Sequence, residues 1–211
     1  MEKQHKIAVI GGTGKTGTVL VNQLIREGYQ VRLLVRNTEF EQKDTHSIEK
    51  VHGDAGDYPT ILELIRGCDA VISTIGQRKG ERLIHSLAST NIIEAMKALG
   101  IRRYIVITGL TLNTAFDKKG FKTRLLSKMM RMSFPDIIAD KEREYAIVSE
   151  SGLDWTVVRL PRILPAGSLG DVRTSLTDCP GSRISTKNLV TFLIGQLSDD
   201  SFIRKAPFAA N

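Results

Sequence analysis

Gly11, Gly14 and Gly17 recur at intervals of three, directly after the apolar run Ala8–Ile10 and just before the apolar pair Val19-Leu20. Glycines between a strand and a helix can do one kind of chemistry well, which is to cradle a phosphate. The first permits a tight turn, the second lets backbone approach a pyrophosphate, and the third lets helix and strand pack closely. The pyrophosphate then sits at a helix N-terminus, where free N–H groups and the helix dipole favour negative charge. The triplet Gly14-Lys15-Thr16 imitates the end of a nucleotide-hydrolase P-loop. That loop needs a second glycine at position 9, where Val9 stands. A magnesium-binding acid after the later apolar runs is also missing, because they end at Ile75-Gly76 and at Gly109. The turn therefore reads as a dinucleotide site, with Thr13, Lys15 and Thr16 among its contacts.

Arg36 decides which dinucleotide. It ends the second apolar run, 19 residues after Gly17, where NAD sites place an acid that accepts from the ribose 2′-hydroxyl. An acid would repel a 2′-phosphate, whereas an arginine grips it bidentately and stacks on adenine. Lys15 adds a second positive charge. NADP(H) is favoured over NAD(H).

These residues need a scaffold, and the chain supplies alternating apolar runs and amphipathic stretches. Strands are expected at Lys6–Ile10, Gln30–Arg36, Ile48–His52, Asp69–Thr74, Arg102–Thr108 and Trp155–Leu160. Helices are expected at Lys15–Glu27, Pro59–Arg66, Ile84–Leu99 and Ile137–Ser151. A last one is capped by Ser185 or Thr186 and runs to about Leu197. The segment 161–183 reads as loop. Alternating strands and helices give an α/β fold of the Rossmann type. Its doubly wound, mostly parallel sheet carries helices on both faces, in a single domain over 1–211. Ligands in such sheets bind beyond the carboxyl ends of the strands, at the topological switch point.

The 211 residues, 41% hydrophobic and 25% charged, suit one soluble domain with a substantial core. No apolar run is long enough to span a bilayer, and the start of the chain lacks a signal-peptide pattern. Two cysteines without metal spacing fit a reduced, cytoplasmic setting, and no metal site is expected. Cys68 lies on the wrong edge of the sheet for catalysis, and His5, His46, His52 and His85 form no catalytic or metal set. The net charge of +7 is partly local, with six basic residues against one acid between Asp117 and Arg131. That run reads as a solvated helix face with its preceding loop. No aromatic platform or recognised motif accompanies it, so nucleic acid is not expected as partner, and without a spanning run neither is a membrane.

The chain resembles the atypical short-chain dehydrogenase/reductase group, near the single-domain NAD(P)H-binding NmrA-like proteins and the biliverdin and flavin reductases. The resemblance runs over nearly the whole chain. It is carried by IGGTGKTG, VRLLVRN at 31–37, HGDAGD at 52–57, STIG at 73–76, YIVITGL at 104–110 and SGLDWTVVRLPRI at 151–163. The last departs from the group's usual Arg-Pro in having Leu160 between Arg159 and Pro161. The resemblance implies that Asp54 and Ala55 meet the adenine. Thr74, Ile75 and Gly76 would line the diphosphate and the nicotinamide-side ribose, with Thr108 and Gly109 facing the nicotinamide. Pro161 and Arg162 would stand beside it at the substrate pocket.

Many short-chain dehydrogenases use Tyr-x-x-x-Lys, where i,i+4 spacing puts both on one helix face and the lysine lowers the tyrosine pKa. Leu33, Leu62, Thr108 and Ser149 stand four residues after the four tyrosines, so the pair is absent. Lys141 lies where related members often carry a lysine, and Tyr145 follows one turn later. They are the remaining catalytic candidates, against a packed tyrosine and a solvated lysine. Flavins and quinones accept hydride directly, so an open pocket over the nicotinamide would suffice. Its walls would be 76–83, 109–131 and 161–183. Met129, Met130 and Met132, with Phe116, Phe121 and Phe134, read either as a deformable lid or as core or dimer contact.

The expected activity is NADPH-dependent hydride transfer to a flavin-, quinone- or tetrapyrrole-like small-molecule acceptor, by a monomer or homodimer. The rival is a non-catalytic NADP(H)-binding redox sensor. An epimerase or dehydratase acting on a nucleotide sugar is weaker, because its tyrosine–lysine pair and large C-terminal substrate domain are missing.

Overall fold

Six apolar runs become the parallel body of one sheet. The computed structural model describes residues 5–36, 47–77, 80–165 and 167–211. Asn37 of the quoted motif, His46, Arg78 and Lys79 of the first expected wall, and Ala166 of the third lie outside the described residues. The strands are β1 (Lys6–Ile10), β2 (Gln30–Val35), β3 (Ile48–His52), β4 (Ala70–Ser73), β5 (Arg103–Gly109) and β6 (Asp154–Leu160). They lie in the order β3-β2-β1-β4-β5-β6. The chain thus reverses direction across the sheet between β1 and β4, where Ile10 stands beside Ser73. That reversal point is where an open α/β sheet leaves a crevice.

Period-two alternation sorts the strand residues onto two faces. Ile7 and Val9 join Leu33, Ile72 and Ile105 under α1 (Lys15–Arg26) and α6 (Thr186–Gly195). Ala8 and Ile10 join Val71, Tyr104 and Val106 on the other face. There α2 (Tyr58–Ile65), α3 (His85–Leu99) and α5 (Pro135–Ser149) cover them. Helices on both faces explain why these strands are apolar throughout rather than alternating. The Ser185 hydroxyl accepts from the Asn188 N–H and caps α6, as expected.

The segment expected to be loop contains two short strands, β7 (Arg162–Leu164) and β8 (Arg173–Ser175), and a third, β9 (Arg183–Ser185), starts at its end. A tenth, β10 (Phe208–Ala210), extends the main sheet beside β6, and β8 pairs antiparallel to it. β7 and β9 form a separate parallel pair. Three-residue strands carry no readable period, and their partners lie far along the chain.

A polar knot joins these additions to the body. The Arg159 side chain is fully buried and sits over the Phe208 ring, 3.6 Å from its centroid. It donates to Asp117 (2.5 Å), to the Ala206 carbonyl (2.8 Å) and to the Leu176 carbonyl (3.0 Å). Lys119 Nζ holds the carbonyls of Leu110 and Leu112. The knot fixes the start of the 109–131 segment against 176 and 206.

After it, α4 (Phe121–Ser133) stands nearly free, with Thr123 its one buried residue. The expected solvated basic face is only half right, because the side turned to solvent is largely apolar. The core reading of the Met and Phe cluster is also wrong, since Phe116, Phe121, Met129, Met130, Met132 and Phe134 are all exposed.

Candidate functional site

At the β1–β4 reversal a cleft of about 520 Å³ opens at the carboxyl ends of the strands. Its floor is the glycine turn. Gly11 adopts φ 79°, and a Cβ there would lie 2.7–2.8 Å from the backbone of Thr74 and Ile75. The turn therefore packs against the neighbouring strand end with no room for a side chain. Gly17 is tighter still, because a Cβ there would meet the Gly11 carbonyl oxygen at 2.1 Å. This is the close helix–turn approach that the third glycine was expected to permit. Gly12 was not singled out from spacing, yet it is buried and its Cβ would fall 2.2 Å from the Leu33 side chain.

α1 begins at Lys15, with no side-chain cap and no acid in its first turn. Its first N–H groups have no partner within the helix. A cradle that excludes side chains, ending on an uncapped helix N-terminus, fits a pyrophosphate.

Ten of the expected cofactor residues line this one cleft: Gly11, Thr13, Gly14, Lys15, Arg36, Asp54, Ala55, Thr74, Ile75 and Gly76. Leu34 and Ile84 join them without having been read from the sequence, and Gln77 and Glu81 come from 76–83, expected as a wall of the substrate pocket. Arg36 Nη1 lies 3.2 Å from Glu81 Oε2, an exposed pair that crosses the cleft. Glu81, on the expected 76–83 wall, reaches Arg36 from 45 positions away. Some polar groups serve the frame as well. Asp54 Oδ1 accepts from the Gly56 N–H at 2.8 Å. The Thr74 hydroxyl donates to the Gly11 carbonyl at 3.3 Å, so it braces the turn.

The remaining expected residues are not part of this cleft lining. Thr16 and Gly17 sit in the first turn of α1. Thr108 and Gly109 end β5, and they pair in register with Arg159 and Leu160 at the end of β6. Pro161 is buried just beyond, and Arg162 is exposed on β7. They continue the same edge of the sheet past β4.

The catalytic candidates separate. Tyr145 lines a different hollow of about 240 Å³, with Phe116, Trp155 and Leu176. Its ring stands edge-on to Trp155, with centroids 6.0 Å apart. Burial raises its phenol above the ordinary tyrosine value, which makes it a poorer proton donor. The packed-tyrosine reading describes its position.

Lys141 is not a solvated charge. Its Nζ lies 3.0 Å from Glu144 Oε2 and 3.2 Å from the Ile107 carbonyl, one residue before Thr108. Its acidic neighbours Asp140 and Glu144 are buried. Asp140 accepts from the His85 N–H (2.9 Å) and the Ser86 hydroxyl (2.5 Å), capping α3 from α5. Glu144 accepts from Ser89, whose hydroxyl also meets Tyr104. Burial raises the Glu144 carboxyl, opposed by Lys141. Burial, with Lys141 nearby, drives His85 down to about 3, so its ring is neutral. Burial pushes the Cys68 thiol up to about 12, which leaves it unreactive. Among the described residues no group of acids, histidines and cysteines could hold a metal ion.

Known proteins place this geometry. A family described as NAD(P)H-binding matches residues 11–200. An uncharacterized chloroplastic protein of Arabidopsis thaliana is 26% identical over 167 residues, covering 74% of this chain. The chain spans 59% of that relative's length. Among solved structures, the anaerobilin reductase ChuY of Escherichia coli O157:H7 superposes with a TM-score of 0.81 at 18% identity, over 97% of this chain and 96% of that one. A short-chain dehydrogenase/reductase of Veillonella parvula DSM 2008, in complex with NADP, gives 0.81 at 15% identity, over 99% and 95%. At those identities the likeness is one of fold.

Proposed function

The chain belongs to the NAD(P)H-binding family, and from that premise we propose an NADPH-dependent oxidoreductase that passes hydride directly to a flavin-, quinone- or tetrapyrrole-like acceptor. The observation that carries this reading is the single cleft in which the glycine turn, Lys15, Arg36 and Asp54 meet. Two neighbours in fold, an anaerobilin reductase and a short-chain dehydrogenase/reductase solved with NADP, support it.

NADPH, when bound, supplies the hydride. The chain's own residues bind and orient. The turn from Gly11 to Gly17, with Thr13 and Thr16 and the α1 N-terminus, holds the pyrophosphate. Arg36 and Lys15 take the 2′-phosphate, and Arg36 exchanges the Glu81 carboxylate for it. Asp54 and Ala55 face the adenine, with Thr74, Ile75 and Gly76 along the diphosphate and ribose. Thr108, Gly109, Pro161 and Arg162 flank the nicotinamide. Lys141, fixed beneath that edge by Glu144 and the Ile107 carbonyl, is a positioning cation there. With Tyr145 in another hollow, the proton comes from water, which suits acceptors that need no protein acid. The same reading takes the setting as reducing and cytoplasmic, in keeping with the free Cys68 and Cys179.

The test follows NADPH oxidation with FMN, a quinone and biliverdin as acceptors. Turnover with at least one is expected. Tight NADPH binding with no turnover on any of them would favour the redox-sensor reading instead. For the cofactor, Arg36→Glu should weaken NADPH by about 10- to 100-fold, since a charged hydrogen bond contributes roughly 1.5–3 kcal/mol. NADH affinity should barely move. An unchanged preference in a fluorescence titration would remove Arg36 from the 2′-phosphate.

A further inference from the structure

α4 is amphipathic the wrong way round. Residues 123, 127 and 131, one turn apart, form the side turned towards the protein, and all are polar. Thr123 is buried beside Asp178, and Arg131 pairs with Glu142 at 2.7 Å. The opposite side carries Phe121, Leu125, Met129 and Met132, exposed by 79%, 49%, 57% and 76%. Exposed Phe134 follows this apolar front directly at its C-terminal end. Lys122, Arg124 and Lys128 border it, and no acid occurs in α4. On the Arg124–Lys128 flank lies a hollow of about 610 Å³, into which Lys118 also opens. Its one carboxylate, Asp117, is already held by Arg159, and the Ser127 hydroxyl there is buried without a partner.

We propose that α4 docks on an anionic lipid surface. Phe121, Leu125, Met129 and Met132 enter the boundary between headgroups and acyl chains, while Lys118, Arg124 and Lys128 take lipid phosphates. An exposed apolar stripe bordered by Lys and Arg is what holds a helix in the plane of that interface. The sequence expectation of no membrane partner rested on the lack of a spanning segment. Among the described residues no helix is long and apolar enough to cross a membrane, and an interfacial helix needs none.

A second copy fits the face poorly. Cations border its apolar front, and α4 holds no acid to pair with them. A two-fold mate would also bring two sets of Lys122, Arg124 and Lys128 together with no acid on α4 between them.

The full chain should float with vesicles of phosphatidylcholine plus phosphatidylglycerol, not with phosphatidylcholine alone, and less so at raised salt. Leu125→Glu/Met129→Glu and Lys122→Glu/Lys128→Glu should each weaken binding by at least about tenfold. Both pairs are exposed, so melting temperatures should stay at the wild-type value, which separates lost docking from lost folding. Equal binding to neutral vesicles, or unchanged binding by the first variant, would overturn the proposal. A two-chain mass in light scattering that the same variant abolishes would give the face to a second copy. Binding to calmodulin, as an acidic groove protein, with no vesicle binding would give it to a protein partner.

Discussion

In a Gly17→Ala protein, NADPH affinity is expected to fall about 100-fold. The added methyl cannot coexist with the Gly11 carbonyl oxygen 2.1 Å away or with the Gly12 Cα at 2.5 Å. Both obstacles are backbone, so the turn or the start of α1 must move. Moving either turns the helix N–H groups away from the pyrophosphate. Two such charge-assisted bonds at about 1.5 kcal/mol each account for roughly that factor. Gly195→Ala, at the end of α6 and outside the cleft, is the control, because a Cβ there would meet nothing within 4 Å. It should bind NADPH as the wild type does. Titration by NADPH fluorescence distinguishes them. Equal, near-wild-type affinities in both would mean that the turn is not the phosphate cradle.

Arg159→Leu should destabilise the fold by about 3 kcal/mol, the cost of breaking a buried ion pair that Lys119, 3.4 Å from Asp117, offsets only in part. Asp117 would keep a half-buried carboxylate, and the carbonyls of Ala206 and Leu176 would lose their donor. Replacing both residues, Arg159→Leu with Asp117→Leu, should recover part of the loss, because apolar pairs of similar volume often match a buried ion pair. Urea unfolding of the wild type and the two variants tests this, and a wild-type midpoint for Arg159→Leu alone would refute it. pH gives a second readout. Burial pushes the Asp117 carboxyl up, but hydrogen bonds from Arg159 and Thr114 outweigh it and hold the pKa below its ordinary value. A depressed folded pKa stabilises above the unfolded value, about 4, and that stability is lost as pH falls through the folded one. The gap between wild type and Arg159→Leu should therefore narrow in acid.

The residues legible beforehand are those whose roles are local. Gly11, Gly14 and Gly17 announce a turn within seven positions, and Arg36 is located by where a strand must end. Periodicity delimits α1, α3 and α5 to within a few residues. It fails for α4 in an instructive way. A period of 3.6 tells which residues share a face, not whether that face points inward, so Phe121 and Leu125 read equally well as core. Asp140 and Glu144 look like surface charges until Ser86 and Ser89 arrive from α3, more than 50 positions back. Arg159 belongs to an apolar strand in the sequence, and only the meeting with Asp117, 42 positions away, gives it a purpose. Glu81 enters the cleft by the same kind of distant encounter.

The place of β10 makes assembly of this sheet a matter of timing. Its residue Phe208 pairs with Arg159, and the Arg159 and Val157 N–H groups donate to Pro207 and Lys205 just before it. At about 5–20 residues per second, a ribosome needs roughly 2–10 s to deliver that partner after β6 has been made. In the interval, β6 offers an unpaired edge that any extended segment could occupy. Synonymous changes that slow decoding between 160 and 208 would prolong this exposure without altering a single side chain. The yield of folded protein should then depend on translation rate in a way that the stability of the finished molecule does not reveal.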